Sequence, residues 1–251
     1  MDNEYDEVYY LTREVRTGSL PYDKRYTYDD VGNRLTMIAD GVTTYYHYDA
    51  ANKLFDYGSS NDPPYTGNTF LDYDCAGNQI SKQEGSVVTT YAYNFANRLT
   101  EVEVGGVTTA EFTYDGDNLR RSATFASGTT WFLYDEDRVI GEVDGQGALM
   151  AFYSVGNGSL IARLAGGSGQ YYHADGLGSA KALTMAQTPP TVSDAYAYDA
   201  WAFPWALGDH APALCICWRP GILHTLPEPR IRPASTGREV LPSNNGTLRL
   251  A

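Results

Sequence analysis

Large apolar and aromatic side chains stand at alternate positions along most of this chain, in short runs broken by Gly, Asn and Asp. YTYDDVGNRLT (26–36) shows the unit. Tyr26 and Tyr28 share one face of a predicted strand, because successive strand side chains alternate sides. Gly32 accepts a positive φ, so Gly-Asn reads as the reversal into a second strand opening at Arg34 and Leu35.

The unit recurs. Tyr28-Asp29 is followed by Tyr48-Asp49, Tyr73-Asp74, Tyr93-Asn94, Tyr114-Asp115 and Tyr134-Asp135, at steps of 20, 25, 20, 21 and 20 residues. The long step holds SSNDPPYTGN (59–68), whose Pro, Gly and Asn predict a bulging loop. Weaker echoes follow at Tyr153 and Tyr172, and a clear one at Tyr198-Asp199. Two residues before each motif tyrosine stand Tyr26, Tyr46, Leu71, Tyr91, Phe112 and Phe132. After each turn come Leu35, Leu54, Ile80, Leu99, Leu119 and Ile140. Each unit therefore predicts a Y-x-Y-D strand and an R-L-T strand, with AGN (76–78), GG (105–106) and ASG (126–128) among the turns. A fixed period of this kind predicts an all-β extended array rather than two globules.

Y-D-x-x-G-N-R-L at a step near 20 resembles the YD repeat of bacterial rearrangement-hotspot (Rhs) proteins, insecticidal toxin-complex subunits and animal teneurins. VYYLTREV (8–15) through FPW (203–205), about four-fifths of the chain, can be laid on that family. YYHADGLGSAKALT (171–184) followed by YAYDAW (196–201) resembles the Rhs-associated core. Tyr172, His173, Asp175, Leu177, Gly178, Ser179, Leu183 and Thr184 fit its pattern. The resemblance implies YD hairpins wound into a spiral sheet, a partial β-shell with aromatic faces packed between neighbouring turns. In the full-length family that shell encloses a toxic C-terminal domain for secretion or delivery. The resemblance marks Tyr28, Asp29, Gly32, Tyr48, Asp49, Tyr73, Asp74, Tyr114, Asp115, Tyr134 and Asp135 as structural motif positions. It also implies a secreted or cell-surface location, with the remainder of a larger shell or its toxin domain as partner. Many Rhs proteins cleave themselves through paired D-P-x-G motifs downstream of the core; this chain has none, so autocleavage is not expected.

Composition narrows the picture. A net charge of −13 and pI near 4.6 disfavour nucleic acid or an anionic membrane as partner. Much of the acidity is the turn aspartate of each unit. No run of about 18 apolar residues exists, so no membrane-spanning helix is predicted. The acidic N-terminus, MDNEYDEVYYLTREVR, shows no signal peptide. Cys75, Cys215 and Cys217 do not make a disulfide framework: the last two form a C-I-C, and the first sits in a repeat turn.

Beyond Asp209 there is no tyrosine, phenylalanine or aspartate. Residues 211–251 instead hold six prolines, and five arginines against Glu228 and Glu239. Read one base later, LPEPRIR (226–232) is compatible with codons for Tyr-Leu-Asn-Arg-Ala-Tyr-Asp, which favours a shifted reading frame over a genuine, diverged junction. Either way the prolines predict a disordered or irregular tail. The predicted organisation is a repeat array at 1–170, a core segment at 171–205 and the Pro/Arg-rich tail at 206–251.

Candidate chemistry is sparse. His173 and Asp175, two apart on a strand, face one side and could act as acid and base; the favoured reading is that they fix a turn ahead of Gly176 and Gly178. His47, His173, His210 and His224 show no metal-ligand spacing, and DGDN (115–118) lacks the calcium-loop pattern. AGGSGQ (165–170) lacks the Lys-Ser/Thr of a phosphate loop and reads as a hairpin connection. The expectation is a structural protein with no enzymatic role and no cofactor, tending to associate through unpaired strand edges. A second expectation is a surface adhesion or carbohydrate-binding module. Tyr26, Tyr46, Tyr91, Phe112 and Phe132 decide between them: buried, they build a wall; exposed, they form a stacking platform.

Overall fold

The computed structural model describes residues 2–18, 21–156, 159–176, 178–198 and 204–206. Within them the chain folds into strands alone. The first five are β1 (Asp2–Tyr5), β2 (Leu11–Arg16), β3 (Tyr22–Tyr28), β4 (Arg34–Ala39) and β5 (Val42–Tyr48). Next come β6 (Leu54–Gly58), β7 (Thr69–Tyr73), β8 (Gln79–Glu84), β9 (Val87–Tyr93) and β10 (Leu99–Val104). The third group is β11 (Val107–Tyr114), β12 (Arg120–Phe125), β13 (Gly128–Asp135), β14 (Arg138–Asp144) and β15 (Leu149–Gly156). The last are β16 (Ser159–Ala165), β17 (Ser168–Ala174), β18 (Ala180–Met185), β19 (Val192–Tyr198) and β20 (Pro204–Ala206). Each pairs antiparallel with the strand before and after it, giving one meander that does not close into a barrel. Leu177 and residues 207–251, with the predicted tail, lie outside the described residues.

The two sides of the sheet differ. Cross-strand pairing places Tyr26 opposite Met37, Tyr46 opposite Tyr57, and Phe112 opposite Ala123, all on one side. Tyr26, Tyr46, Leu71 and Tyr153 are buried on that side, and Tyr91, Phe112 and Phe132 are half-buried. The other side of β3–β12 is mostly polar, with single apolar side chains such as Ile38 and Phe70, and is zipped by hydroxyl pairs such as Thr27–Thr36 and Thr113–Ser122, both at 2.6 Å.

Among the described residues, each strand's backbone packs only against its chain neighbours, and side chains reach one strand further in places, as Gln170 of β17 does to Ser193 and Asp194 of β19. The expected packing of aromatics between successive turns of a spiral is therefore not what buries them. They are covered from the side, by the next tyrosine and by arginine stems lying across the rings. The Arg34 guanidinium sits 4.2 Å from the Tyr46 ring centre, and that of Arg120 sits 4.5 Å from Phe112. Glu14, fully buried in the same layer, accepts hydrogen bonds from the Tyr22 and Tyr26 hydroxyls.

Two kinds of turn recur along the meander. One is a tight two-residue reversal such as Gly105-Gly106 or Gly166-Gly167, so AGGSGQ is indeed a hairpin connection. The other is a wider turn whose fourth residue is always left-handed: Tyr9, Gly32, Asn52, Gly77, Asn97, Asn118, Gly147 and Gly178. Gly and Asn tolerate that conformation, which is why they recur there. At Gly32 the Tyr10 hydroxyl also packs so close, 2.8 Å from where a Cβ would stand, that a side chain would collide. Tyr9 is the exception, a bulky residue at φ 66° with its side chain 85% exposed. Replacing it with glycine removes backbone strain at no cost in packing. Tyr9→Gly should stabilise the first hairpin by up to about 1 kcal/mol, read by chemical denaturation; a loss of stability would show that the turn is unstrained.

Candidate functional site

The residues that recur most regularly are tyrosine and aspartate, and the structure joins them into one bonding pattern. Take Asp29. Its backbone N–H donates to the Asn33 carbonyl, and its own carbonyl accepts from Gly32 N–H. Its side-chain Oδ1 accepts the backbone N–H groups of Val31 (3.0 Å) and Asn33 (2.8 Å). A short carboxylate thus satisfies donors that a turn would leave bare, the Asx-turn chemistry. The same side-chain bonds form at Asp49, Asp115 and Asp144, and at Asn94 with an amide oxygen in place of the carboxylate. Asp74 and Asp175 hold the residue four ahead in the same way.

The tyrosines tie each turn to its predecessor. Tyr28 donates its hydroxyl to the Leu11 carbonyl (2.8 Å), Tyr48 to Arg34 (3.2 Å) and Tyr93 to Gln79 (3.0 Å). Tyr114 donates to Leu99 (2.8 Å) and Tyr134 to Arg120 (2.9 Å). Every acceptor is the first or second residue of the strand leaving the previous wide turn. Burial pushes the Tyr28, Tyr48, Tyr73, Tyr93 and Tyr134 hydroxyls above their ordinary pKa, so they remain donors at neutral pH. Two side-chain amides add a second tie, Asn33 Nδ2 to Asn52 Oδ1 and Asn78 Nδ2 to Asn97 Oδ1, both at 3.0 Å.

Three motif positions depart from the sequence reading. Asp135 pairs with Arg138 across a tight reversal at Glu136-Asp137 instead of opening a wide turn. Asp6 and Asp144, which the YD spacing passed over, do open wide turns. Their signal is an aspartate three residues ahead of a left-handed position, clear in Asp144-Gly-Gln-Gly147 and hidden by Tyr9 in the other.

His173 and Asp175 are engaged with different partners. His173 Nε2 lies 2.9 Å from the Thr184 hydroxyl on the polar side. Asp175 holds the turn through Ser179 N–H and has Lys181 Nζ 3.6 Å away. A register shift between His173 and Ala174 breaks the simple i, i+2 relation that the sequence suggested.

A second buried carboxylate was not visible in the sequence. Asp56 on β6 is fully buried, with Oδ1 2.7 Å from both His47 Nδ1 on β5 and Asn68 Nδ2 at the entry to β7. Asn68 also clamps the insertion by exchanging bonds with the Ser60 backbone, 2.9 Å each way. Tyr65 packs its ring 4.5 Å from that of His47. The 59–68 insertion is thus a folded clasp over a His–Asp pair, not a loose bulge. No nucleophile adjoins it in these contacts, and the described residues contain no group of three or more potential metal ligands. Cys75 is an exposed free thiol. No described helix is long and apolar enough to cross a membrane.

No protein-family model and no curated protein sequence matches the chain. Similar solved structures include the TcdB2-TccC3-TEV and TcdB2-TccC3-Cdc42 crystal structures. Each is 15% identical, covers 80% of this chain and 12% of the solved one, and has a TM-score of 0.43. The Photorhabdus luminescens Tc holotoxin pore, with a TccC3 mutation, is 12% identical over 80% of this chain and 16% of its own, at a TM-score of 0.28. The chain thus spans about an eighth of the length of the first two.

Asn94 shows that an amide oxygen can hold the wide turn. Asp115→Asn should therefore be close to neutral, while Asp115→Ala should cost about 1–2 kcal/mol in denaturant unfolding by stranding two N–H donors. Equal losses in both variants would mean that charge, not hydrogen bonding, is what matters.

Acid should loosen the turns. Burial favours the protonated Asp29 carboxyl but is outweighed by the Asn33 side-chain and backbone donors; at Asp74 the Asn78 amide is the largest influence. Both carboxyls are held below their ordinary value, so their stabilisation is complete above about pH 4 and is lost as pH falls further, through the folded-state value. Thermal melts from pH 6 to pH 2 should show Asp74→Asn with a shallower acid loss than the parent chain.

Proposed function

We propose that this chain is a wall segment: a stretch of YD-repeat sheet of the Rhs type that belongs to a larger shell enclosing a C-terminal toxin. The single observation that supports this most is the tyrosine–turn lattice. Its recurrent residues are used up in holding strands to one another, and they leave no recurrent group free to bind or react. The fit of 171–184 to the Rhs-associated core supports the same reading. The partner is then the remainder of that shell or its enclosed domain, and the setting is secretion or the cell surface. On this reading the role is mechanical rather than catalytic: His173 ties β17 to β18 through Thr184, and Asp175 holds the turn between them.

The alternative, an adhesion module that stacks sugars on exposed tyrosines, is less well supported. The row that would have to be open is buried at Tyr26 and Tyr46 and half-buried at Tyr91, Phe112 and Phe132.

Sequencing the gene from codon 200 onward tests the wall reading. A shifted frame that restores an Arg-Ala-Tyr-Asp tract and continues into a further domain is the expected result. A continuous frame as written, together with glycan-array binding by the isolated chain, would overturn it in favour of the adhesion module.

A further inference from the structure

The side of the sheet opposite the tyrosine row changes character at β13. Upstream it is mostly threonine, serine and charged residues, with single apolar side chains such as Ile38, Phe70 and Val88 set among them; from β13 to β17 apolar residues become contiguous. Leu133, Phe152 and Leu164 stand in one cross-strand line, with Gly141 between the first two and Gly169 beyond the last. Trp131, Leu149 and Tyr171 flank that line on the same side. These six large side chains are each 39–59% exposed. Away from the strand ends, no Asp, Glu, Lys or Arg faces this way between β13 and β17, in a chain whose net charge is −13. Scattered exposed apolar residues are ordinary; a contiguous, charge-free group is the mark of a surface that is covered in use.

We infer that this face is covered by the same face of a second copy of the chain. Two properties select a second copy. The first is electrostatic. Two strongly acidic chains repel wherever their carboxylates meet, so an uncharged zone is where they can approach; apart from Asp135 opposite Arg138 at the end of β13, the nearest strand carboxylates of this side, Glu111 and Glu101, lie on β11 and β10. The second is shape and area. The patch is roughly centred on β15, so a two-fold axis there lays each patch on the other and keeps β10 and β11 outside the overlap. Beside Phe152 and Leu164 a shallow notch of about 120 Å³, floored by Ala162 and Gly169 and walled by Tyr171, has room for a side chain from the facing copy. Six half-exposed large side chains offer on the order of 500 Å² of apolar surface, and two such faces together bury about 1,000 Å², where specific interfaces begin. The contact is therefore a reversible one, made through the face and not through the strand edges.

Sedimentation velocity of the full chain across a 100-fold concentration range is the test. A reversible monomer–dimer equilibrium is expected, weakened at least tenfold by Phe152→Glu and by Leu164→Glu, and unchanged by Thr90→Lys on the polar part of the same side. Mixing Leu164→Glu with Leu164→Lys should restore association that neither variant shows alone. That complementation holds its meaning even if single variants lose stability, and strand content by circular dichroism accompanies each sample. A chain monomeric throughout the range would overturn the inference. So would an association that survives both face variants but is abolished by Asn3→Pro on the edge strand β1, which would place the contact at the edge.

Discussion

Everything in this sheet depends on how a side-chain oxygen closes each wide turn and how the next tyrosine hydroxyl reaches back to the strand leaving it. A single-layer sheet has no second layer to press its strands into register, and here each strand's backbone packs only against its neighbours in sequence. Ordinary β-proteins fix register by burying one face against another layer. This chain uses directional bonds instead. The Asp29 or Asn94 oxygen sets where the chain reverses, and the Tyr48 or Tyr114 hydroxyl sets how the following hairpin sits on the one before. A slip of one residue would turn every tyrosine to the polar side and strand its hydroxyl far from its carbonyl.

Such a lattice is one-dimensional. Each link joins a repeat to its predecessor, so stability is the sum of repeat and neighbour terms rather than the property of a common core. The arginines fit this economy. Lying across the rings of Tyr46 and Phe112, the Arg34 and Arg120 stems cover what a second layer would otherwise cover, while their charge offsets part of the turn aspartates. Contacts close in sequence also lower the entropy of each closure, so folding can spread from hairpin to hairpin.

Most of the strand pattern could be read from the alternation of apolar residues and the spacing of Tyr-Asp, because both are imposed by local geometry: period two for the strand, and a left-handed fourth residue for the turn. What escaped was set by partners distant in the pattern. Asp144 opens a turn without a tyrosine before it, so the Tyr-Asp spacing does not mark it. Asp135 has the tyrosine but sits at a two-residue reversal, where its side chain has no turn to close. The Asp56 pocket needs His47 across the strand pair and Asn68 beyond an insertion, and only the register, His47 opposite Asp56, brings them together. Alternation puts the aromatics on one side but does not foretell the arginines that cover them.

The anomaly at Asp135 has a further consequence. In a meander, turns after odd-numbered strands gather at one end of the strands and turns after even-numbered strands at the other. Up to β11 every wide turn follows an odd strand; after β13 the reversal is tight, and the wide turn at Asp144 follows β14, at the opposite end. The regular phase returns with Asp175 after β17. The stretch between those points is the same β13–β17 whose second side turns apolar. A wide turn carries its own hydrogen-bonding side chain and braces the sheet locally, whereas a two-residue reversal does not. Where the lattice is out of phase, the sheet therefore has fewer directional bonds of its own, and an uncharged face that gains stability by being covered is a physical substitute for them. The break in the repeat and the change of surface are in this sense one feature, with the hydrophobic effect taking over where the tyrosine–turn bonding lapses.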